Sequence, residues 1–336
     1  MSSEATSHLT RRSTLSAPGV IAVTGLESFI GSQLVRRLVG RPAGLRVVGL
    51  DQRRPMRFPE GARFAKLDLT RPTADGALAE VLAAERVEAV VHAAFRTNPT
   101  PDLELDHELE TIGSLHVMNA CAAAKVKRLV VASSTELYGP WPDNPNFLTE
   151  RHPLRGHPQA HSVRDRIEME SLLADWSARH PDVEVTVLRP CWIFGPTYWS
   201  RVTRYFSLPA LAVPLGYDPL MQLVHEEDVV RAFELAALQS CPGIYNLVGS
   251  GVLPLSTLLR LADKQTWRLP GPLLHRLAYF PSQGQTGDPP EAFYDYLRYL
   301  WVADGRRGWD VFGEPVYSTR EAWISFVSSR RMRRYR

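Results

Sequence analysis

Lysine is nearly missing from this sequence: four of its 39 basic residues, Lys66, Lys125, Lys127 and Lys264, are lysines and the others are arginines. An arginine standing where an ammonium would be expected can therefore reflect a bias of the whole chain. Cysteine is almost as scarce. Cys121, Cys191 and Cys241 lie far apart with no C-x-x-C pair, which excludes a disulfide framework or a zinc knuckle and points to a reducing, cytoplasmic setting. Long apolar runs are lacking too: the uncharged stretch between Arg204 and Asp218 is broken by Pro209 and Pro214, and no transmembrane span is predicted. Residues 1–18, rich in Ser and Thr with Arg11 and Arg12, lack the apolar core of a secretory signal and are expected to form a disordered leader. Nor does one sign of charge dominate. The net +3 includes five arginines in residues 330–336, and the rest of the chain nets −2 once these are set aside. Basicity thus belongs to an Arg-rich tail, expected to be a solvated terminus able to touch an acidic surface. No nucleic-acid partner is expected, because no aromatic-interleaved groove or recognised motif accompanies the tail.

What is present is alternation. Val20–Thr24 is a short apolar run ending at Gly25, and Ile30, Leu34, Val35 and Leu38 then recur at helical spacing. Strands are expected at 45–50, 62–67, 89–92, 128–132 and 183–188, with helices at 74–84, 103–124 and 159–179 between them. Strands alternating with helices imply parallel crossovers, hence an α/β Rossmann-type doubly wound parallel sheet with a smaller C-terminal substrate lobe. The sequence divides into an NAD(P)-binding domain over 19–190 and a substrate-side lobe over 191–329, with interleaving segments allowed, followed by the tail at 330–336. In the lobe, 226–238, 255–262 and 319–327 read as helices and 244–248 as a strand.

Gly25-Leu26-Glu27-Ser28-Phe29-Ile30-Gly31 follows the first strand and opens the first helix, the setting a dinucleotide fingerprint requires. The first glycine permits a tight turn and the last permits close packing, while helix amides face a pyrophosphate. Ser28 fills the middle position, where its side chain must be accommodated, so a weaker or shifted phosphate contact is expected. Asp51 ends the second strand, 20 residues past Gly31, where a carboxylate accepts hydrogen bonds from ribose hydroxyls and repels a 2′-phosphate. NAD is the expected cofactor; Arg53 and Arg54 keep NADP open.

Further stretches follow in a fixed order: Asp68-Leu69-Thr70, Val91-His92-Ala93-Ala94, Ser133 through Gly139, Leu188-Arg189-Pro190 with Gly195-Pro196, and Val224 through Val229. With the fingerprint, they make the chain resemble the extended short-chain dehydrogenases/reductases, the NAD-dependent epimerase/dehydratase family, over roughly residues 20 to 327. The resemblance implies that Asp68 and Leu69 frame an adenine, that Ala93, Ala94 and Phe95 line the cofactor channel, and that Pro190 approaches the nicotinamide. It also implies a homodimer paired through the helices at 103–124 and 159–179.

The same resemblance exposes a gap. Where the family carries a tyrosine and, four residues later, a lysine, this chain has Ser162 and Arg166. Arg166 retains a positive charge for the nicotinamide ribose, whereas a serine hydroxyl does not ionise near neutrality as an activated phenol can. Ser134 occupies the position of the family hydroxyl that orients the reacting group. Two residues on, Glu136 stands where related dehydratases carry an acid, either as a base or as a carboxylate positioning a loop. Ser134 and Glu136 are therefore the catalytic candidates. His161 is turned from Ser162 by about 100° of helix. No metal site is expected from His152, His157 and His161, which lie in a Pro-rich loop. Cys191 is expected to pack, Trp192, Tyr198 and Trp199 to pack or to shape a ring-binding surface, and His225 to cap a helix. Two functions remain: an NAD-dependent epimerase/dehydratase-like oxidoreductase acting on a hydroxylated small molecule such as a nucleotide sugar, or a catalytically silent dinucleotide-binding protein serving as redox sensor or scaffold.

Overall fold

A computed structural model describes residues 17–41, 44–96, 98, 100–278, 288 and 290–334; the leader expected at 1–18 lies, up to residue 16, outside them. The chain opens with β1 (Val20–Thr24), α1 (Phe29–Val39), β2 (Arg46–Asp51), β3 (Ala62–Lys66), α2 (Ala74–Glu85) and β4 (Ala89–His92). The helix expected at 103–124 is divided into α3 (Leu103–His107), a π-helical turn (Glu108–Ile112) and α4 (Gly113–Ala123). One wide turn of this kind spans too few residues for sequence spacing to reveal it. Then come β5 (Arg128–Ala132), a 3-10 turn (Thr135–Tyr138), α5 (His161–Arg179) and β6 (Glu184–Pro190).

Beyond residue 190 the elements are shorter: β7 (Trp192–Phe194), α6 (Arg201–Ser207), β8 (Ala210–Pro214), β9 (Leu220–Met221), β10 (Leu223–His225), α7 (Glu226–Leu238), β11 (Gly243–Leu247), β12 (Leu253–Pro254), α8 (Leu255–Leu261), β13 (Gln265–Leu269), α9 (Gly271–Ala278), α10 (Pro290–Asp295), α11 (Arg306–Phe312) and α12 (Thr319–Arg334). The Arg-rich tail is thus not a free terminus as far as Arg334. It continues α12, and the Arg330 guanidinium lies 4.6 Å from the Trp199 ring centre.

Seven parallel strands form the main sheet in the order β11-β6-β5-β4-β1-β2-β3. Its edge strand β11 comes from beyond residue 190, so the segments interleave. β1 is buried at every position because both faces are covered. Ile21 and Val23 face α1 and α7, with Leu34, Leu38 and Phe233. Ala22 faces α2, α4 and α5, with Leu78, Val117 and Leu173. The strand order reverses between β1 and β4, which opens a crevice at their carboxyl ends. Over that crevice the short strand pairs pack through aromatic side chains, with Trp192 5.0 Å from Trp301 and Phe194 5.0 Å from Phe326. No helix among the described residues is long and apolar enough to cross a membrane.

Candidate functional site

The bend after β1 explains its own glycines. Gly25 has φ +78°, and a β-carbon there would lie 2.5 Å from backbone atoms of Ala93 and Ala94. At Gly31 a β-carbon would meet the Gly25 carbonyl oxygen at 2.2 Å. Only hydrogen fits at either position, as the fingerprint predicts. Ser28 caps α1: its hydroxyl accepts from the Gly31 N–H at 3.0 Å and donates to the Gly25 carbonyl at 2.7 Å. The hydroxyl of the serine in the middle position is thereby tied into the turn, while the residue still borders the crevice.

The crevice has two chambers that meet at Ser28, Phe29, Phe95 and Arg96. The outer one, of about 490 Å³, is lined by Gly25, Asp51, Leu69 and Ala94 on the sheet side and by Thr197 and Trp199 from the opposite lobe. Asp51 is oriented by its backbone neighbours, its carboxylate accepting from Glu27 N–H at 3.0 Å and Gln52 N–H at 2.7 Å. Asp68 stands behind this wall. It accepts from the Gln52 side chain at 2.9 Å and from the Thr70 hydroxyl at 2.7 Å, so it supports the lining residue Gln52 instead of lining the chamber. Arg54 lies over the Phe58 ring at 5.4 Å, and among the described residues neither it nor Arg53 lines the chamber.

The inner chamber gathers Ile30, Ala93, Ser134, Glu136, Arg166 and Pro190, all singled out from sequence. Ser134 Oγ accepts from the Glu136 N–H at 3.1 Å, capping the 3-10 turn while it faces the cavity. The Glu136 carboxylate accepts from Trp192 Nε1–H at 2.9 Å and lies 3.9 Å from Arg201. Arg166 is fixed by an ion pair with Glu110 at 3.1 Å, their side chains 15% and 2% exposed. Burial opposes charge on this guanidinium, but Glu110 beside it holds its pKa above the ordinary arginine value. The π-helical turn carries Glu110 to that spot.

At the helix position without a phenol, Ser162 Oγ–H donates to Asp288 Oδ2 at 2.5 Å, and Arg201 donates to the same oxygen at 3.0 Å. The Asp288 side chain is fully buried. Asp288, Arg201 and Glu110 escape sequence reasoning because each comes from a distant segment with no local motif. Tyr198, two residues after Gly195-Pro196, also lines this chamber, with its ring edge-on to Phe29 at 5.0 Å. Cys191 lines it too, and burial pushes its thiol pKa up. The three histidines of the Pro-rich region point to separate partners, His152 to Thr149, His157 to Asp295 and His161 to Arg164. His225 caps α7, accepting from Glu227 N–H.

The sequence pattern of the NAD dependent epimerase/dehydratase family matches residues 21–247. The chain belongs to that family. Over 324 residues it is 30% identical to an uncharacterized protein of Mycobacterium tuberculosis, covering 93% of this chain and 84% of that one. The crystal structure of the UDP-glucose 4-epimerase of Thermotoga maritima with UDP-glucose aligns at TM-score 0.71 and 20% identity, over 94% of this chain and 99% of the other. The UDP-glucose 4-epimerase of Thermus thermophilus in complex with NAD gives TM-score 0.71 at 22% identity, over 93% and 99%. NAD is the family's cofactor, and the residues of this crevice fit it. A helix amino terminus opens on the crevice beside a left-handed glycine, and a carboxylate with oriented oxygens stands at the end of the next strand.

Proposed function

We propose that the protein is an NAD-dependent oxidoreductase of the epimerase/dehydratase type acting on a hydroxylated sugar carried by a nucleotide. One observation carries the proposal: the chamber bordered by the fingerprint and Asp51 runs directly into a polar chamber holding Ser134, Glu136 and Arg166. NAD, when bound, takes up or returns a hydrogen with its electron pair at a carbinol carbon. Asp51 would hold the adenosine ribose, and Gly25, Ser28, Phe29, Ile30 and Gly31 would shape the pyrophosphate turn. Leu69, with Asp68 behind it, would border the adenine. Ala93, Ala94, Phe95 and Pro190 would border the nicotinamide side, with Arg166 as the nearby cation. Ser134 would orient the reacting hydroxyl, and Glu136 would be the carboxylate that finally takes up the proton released. UDP-glucose is the natural first probe, because the similar Thermotoga maritima enzyme is described with it.

The purified full chain is expected to bind NAD and, on addition of UDP-glucose or another nucleotide sugar, to reduce it or to form an epimer detectable by chromatography. Asp51→Ala is expected to weaken NAD binding by about 10- to 100-fold in a calorimetric titration, the worth of hydrogen bonds to a charged acceptor. A folded chain that takes up no NAD at millimolar concentration would overturn the proposal. The engagement of Ser162 by Asp288 favours a second reading, a dinucleotide-binding protein without turnover; NAD uptake with no conversion of any nucleotide sugar is its mark.

A further inference from the structure

Oxidising a carbinol requires a group that takes the hydroxyl proton, and α5 supplies none at residue 162, where the hydroxyl is bound to a buried carboxylate. Three other buried phenols are engaged away from the cavity. Tyr138 donates to Asn246, Tyr205 to the Ala212 carbonyl and Tyr296 to the Glu136 carbonyl. Tyr198 is the tyrosine that lines the inner chamber among the described residues.

Its position is fixed from behind. The buried Glu226 carboxylate accepts from the Tyr198 N–H at 2.6 Å, the Thr197 N–H at 3.0 Å and the Thr197 hydroxyl at 2.7 Å. Gly195 makes room for that carboxylate, since a β-carbon there would lie 2.3 Å from it. Ser200 then caps α6 and closes the loop on its other side. A loop tied down at both ends presents a side chain with the precision of a regular element.

We propose that Tyr198 is the acid–base residue of this crevice, exchanging a proton with the substrate hydroxyl while Arg166 serves it as the neighbouring cation from α5. The proposal rests on the oxidoreductase function above. A phenol and a cation that another member would carry on one helix are here brought together from two elements. Burial raises the pKa of this phenol and the Glu136 charge raises it further, while Arg166 and a hydrogen bond with the Ser200 side chain lower it. Tyr198 therefore rests protonated, in the chamber that the Glu136 carboxylate also lines. The substrate O–H proton passes to the phenol oxygen as the phenol proton passes to Glu136. The O–H electron pair becomes the new C=O bond, and the carbinol hydrogen leaves with its pair to NAD. The carbinol is oxidised and NAD reduced, and reversal of each transfer restores both.

Tyr198→Phe in the full chain, loaded with NAD and given UDP-glucose, is expected to lose about 100-fold or more in kcat, the scale of general acid–base catalysis. NAD affinity and the KM for UDP-glucose should stay within about threefold, since the ring and its contact with Phe29 remain. A second readout needs no turnover. In an ultraviolet titration of tyrosinate formation, the wild-type minus Tyr198→Phe difference isolates one phenol, and Glu136→Gln is expected to shift its titration to lower pH as the like charge is removed. Full kcat in Tyr198→Phe, or a titration unmoved by Glu136→Gln, would overturn the assignment while leaving the oxidoreductase intact. Wild-type protein that binds NAD and converts no nucleotide sugar would instead remove the oxidoreductase function, and this role with it.

Discussion

The outer chamber takes most of its sheet-side wall from turns that directly follow consecutive parallel strands: Gly25 after β1, Asp51 at the end of β2, and Ala94 and Phe95 after β4. The inner chamber is assembled otherwise. Glu136, Arg166, Tyr198 and Arg201 line it from four separate segments, and Glu110 and Asp288 hold two of these cations from two more. The contrast shows what each half depends on. Backbone geometry makes the outer chamber, and any chain with this strand order and these glycines reproduces it. Ion pairs between distant residues make the inner one, so its chemistry can be rewired while the cofactor frame stays in place.

The largest effect should come from unbalancing those pairs. Glu110→Ala takes from the largely buried Arg166 guanidinium the one carboxylate it donates hydrogen bonds to among the described residues. Removing one partner of a buried pair costs about 3–5 kcal/mol, readable as a shift of the urea midpoint at constant slope. If the two halves are built as described, Glu110→Ala destabilises the fold and perturbs Arg166, while Asp51 keeps both backbone partners. A loss below about 1 kcal/mol would mean that Arg166 finds solvent or another acid, and the inner chamber would be softer than its hydrogen bonds imply.

This contrast also explains what was legible in the sequence. The strands around Gly25, Asp51 and Ala93 were placed to within a residue or two, because apolar runs and turn residues are local signals. Ser134 and Glu136 are singled out through the family resemblance, and both line the inner chamber. The partner of Ser162 is not, since Asp288 lies 126 residues away and no pattern links them. Glu110 carries no signal in the sequence, since it is buried by the π-helical turn that spacing does not reveal. The terminal arginines were read by charge alone, whereas Arg330 is held by an aromatic surface that only tertiary packing creates.

A smaller effect links the halves through His92, at the end of β4. The Ser114 hydroxyl donates to the Glu110 carbonyl at 2.5 Å, so it accepts from His92 Nε2–H at 2.9 Å, and Nδ1 accepts from the Thr24 hydroxyl at 2.7 Å. Complete burial holds this imidazole neutral, its pKa lowered to about 3. Above the unfolded value near 6.5 neither state binds a proton here. As pH falls below it, the unfolded chain takes up a proton that the folded chain refuses, and stability declines by about 1.4 kcal/mol per pH unit. Between pH 7 and 5 the loss should reach about 2 kcal/mol in urea titrations, before most carboxylates titrate. His92→Gln should flatten that slope. An unchanged slope would place the proton uptake elsewhere and disconnect His92 from the frame both chambers share.

The smallest effect tests whether the chambers respond separately to a change in the lobe that covers them. Arg330 stacks on Trp199, which lines the outer chamber, and its guanidinium approaches the carbonyl of Tyr198, which lines the inner one. Trp199 remains 48% exposed, so this stack has the strength of a surface cation–π contact, about 0.5–1 kcal/mol. Arg330→Ala should therefore raise the Kd for NAD by about two- to fivefold in a fluorescence titration. The Tyr198 backbone stays tied to Glu226 at 2.6 Å, which makes its placement independent of the terminal helix. Turnover at saturating NAD should accordingly change less than twofold. Equal losses in affinity and turnover would show that one loop transmits strain between the chambers, and that cofactor frame and chemical site form a single mechanical unit.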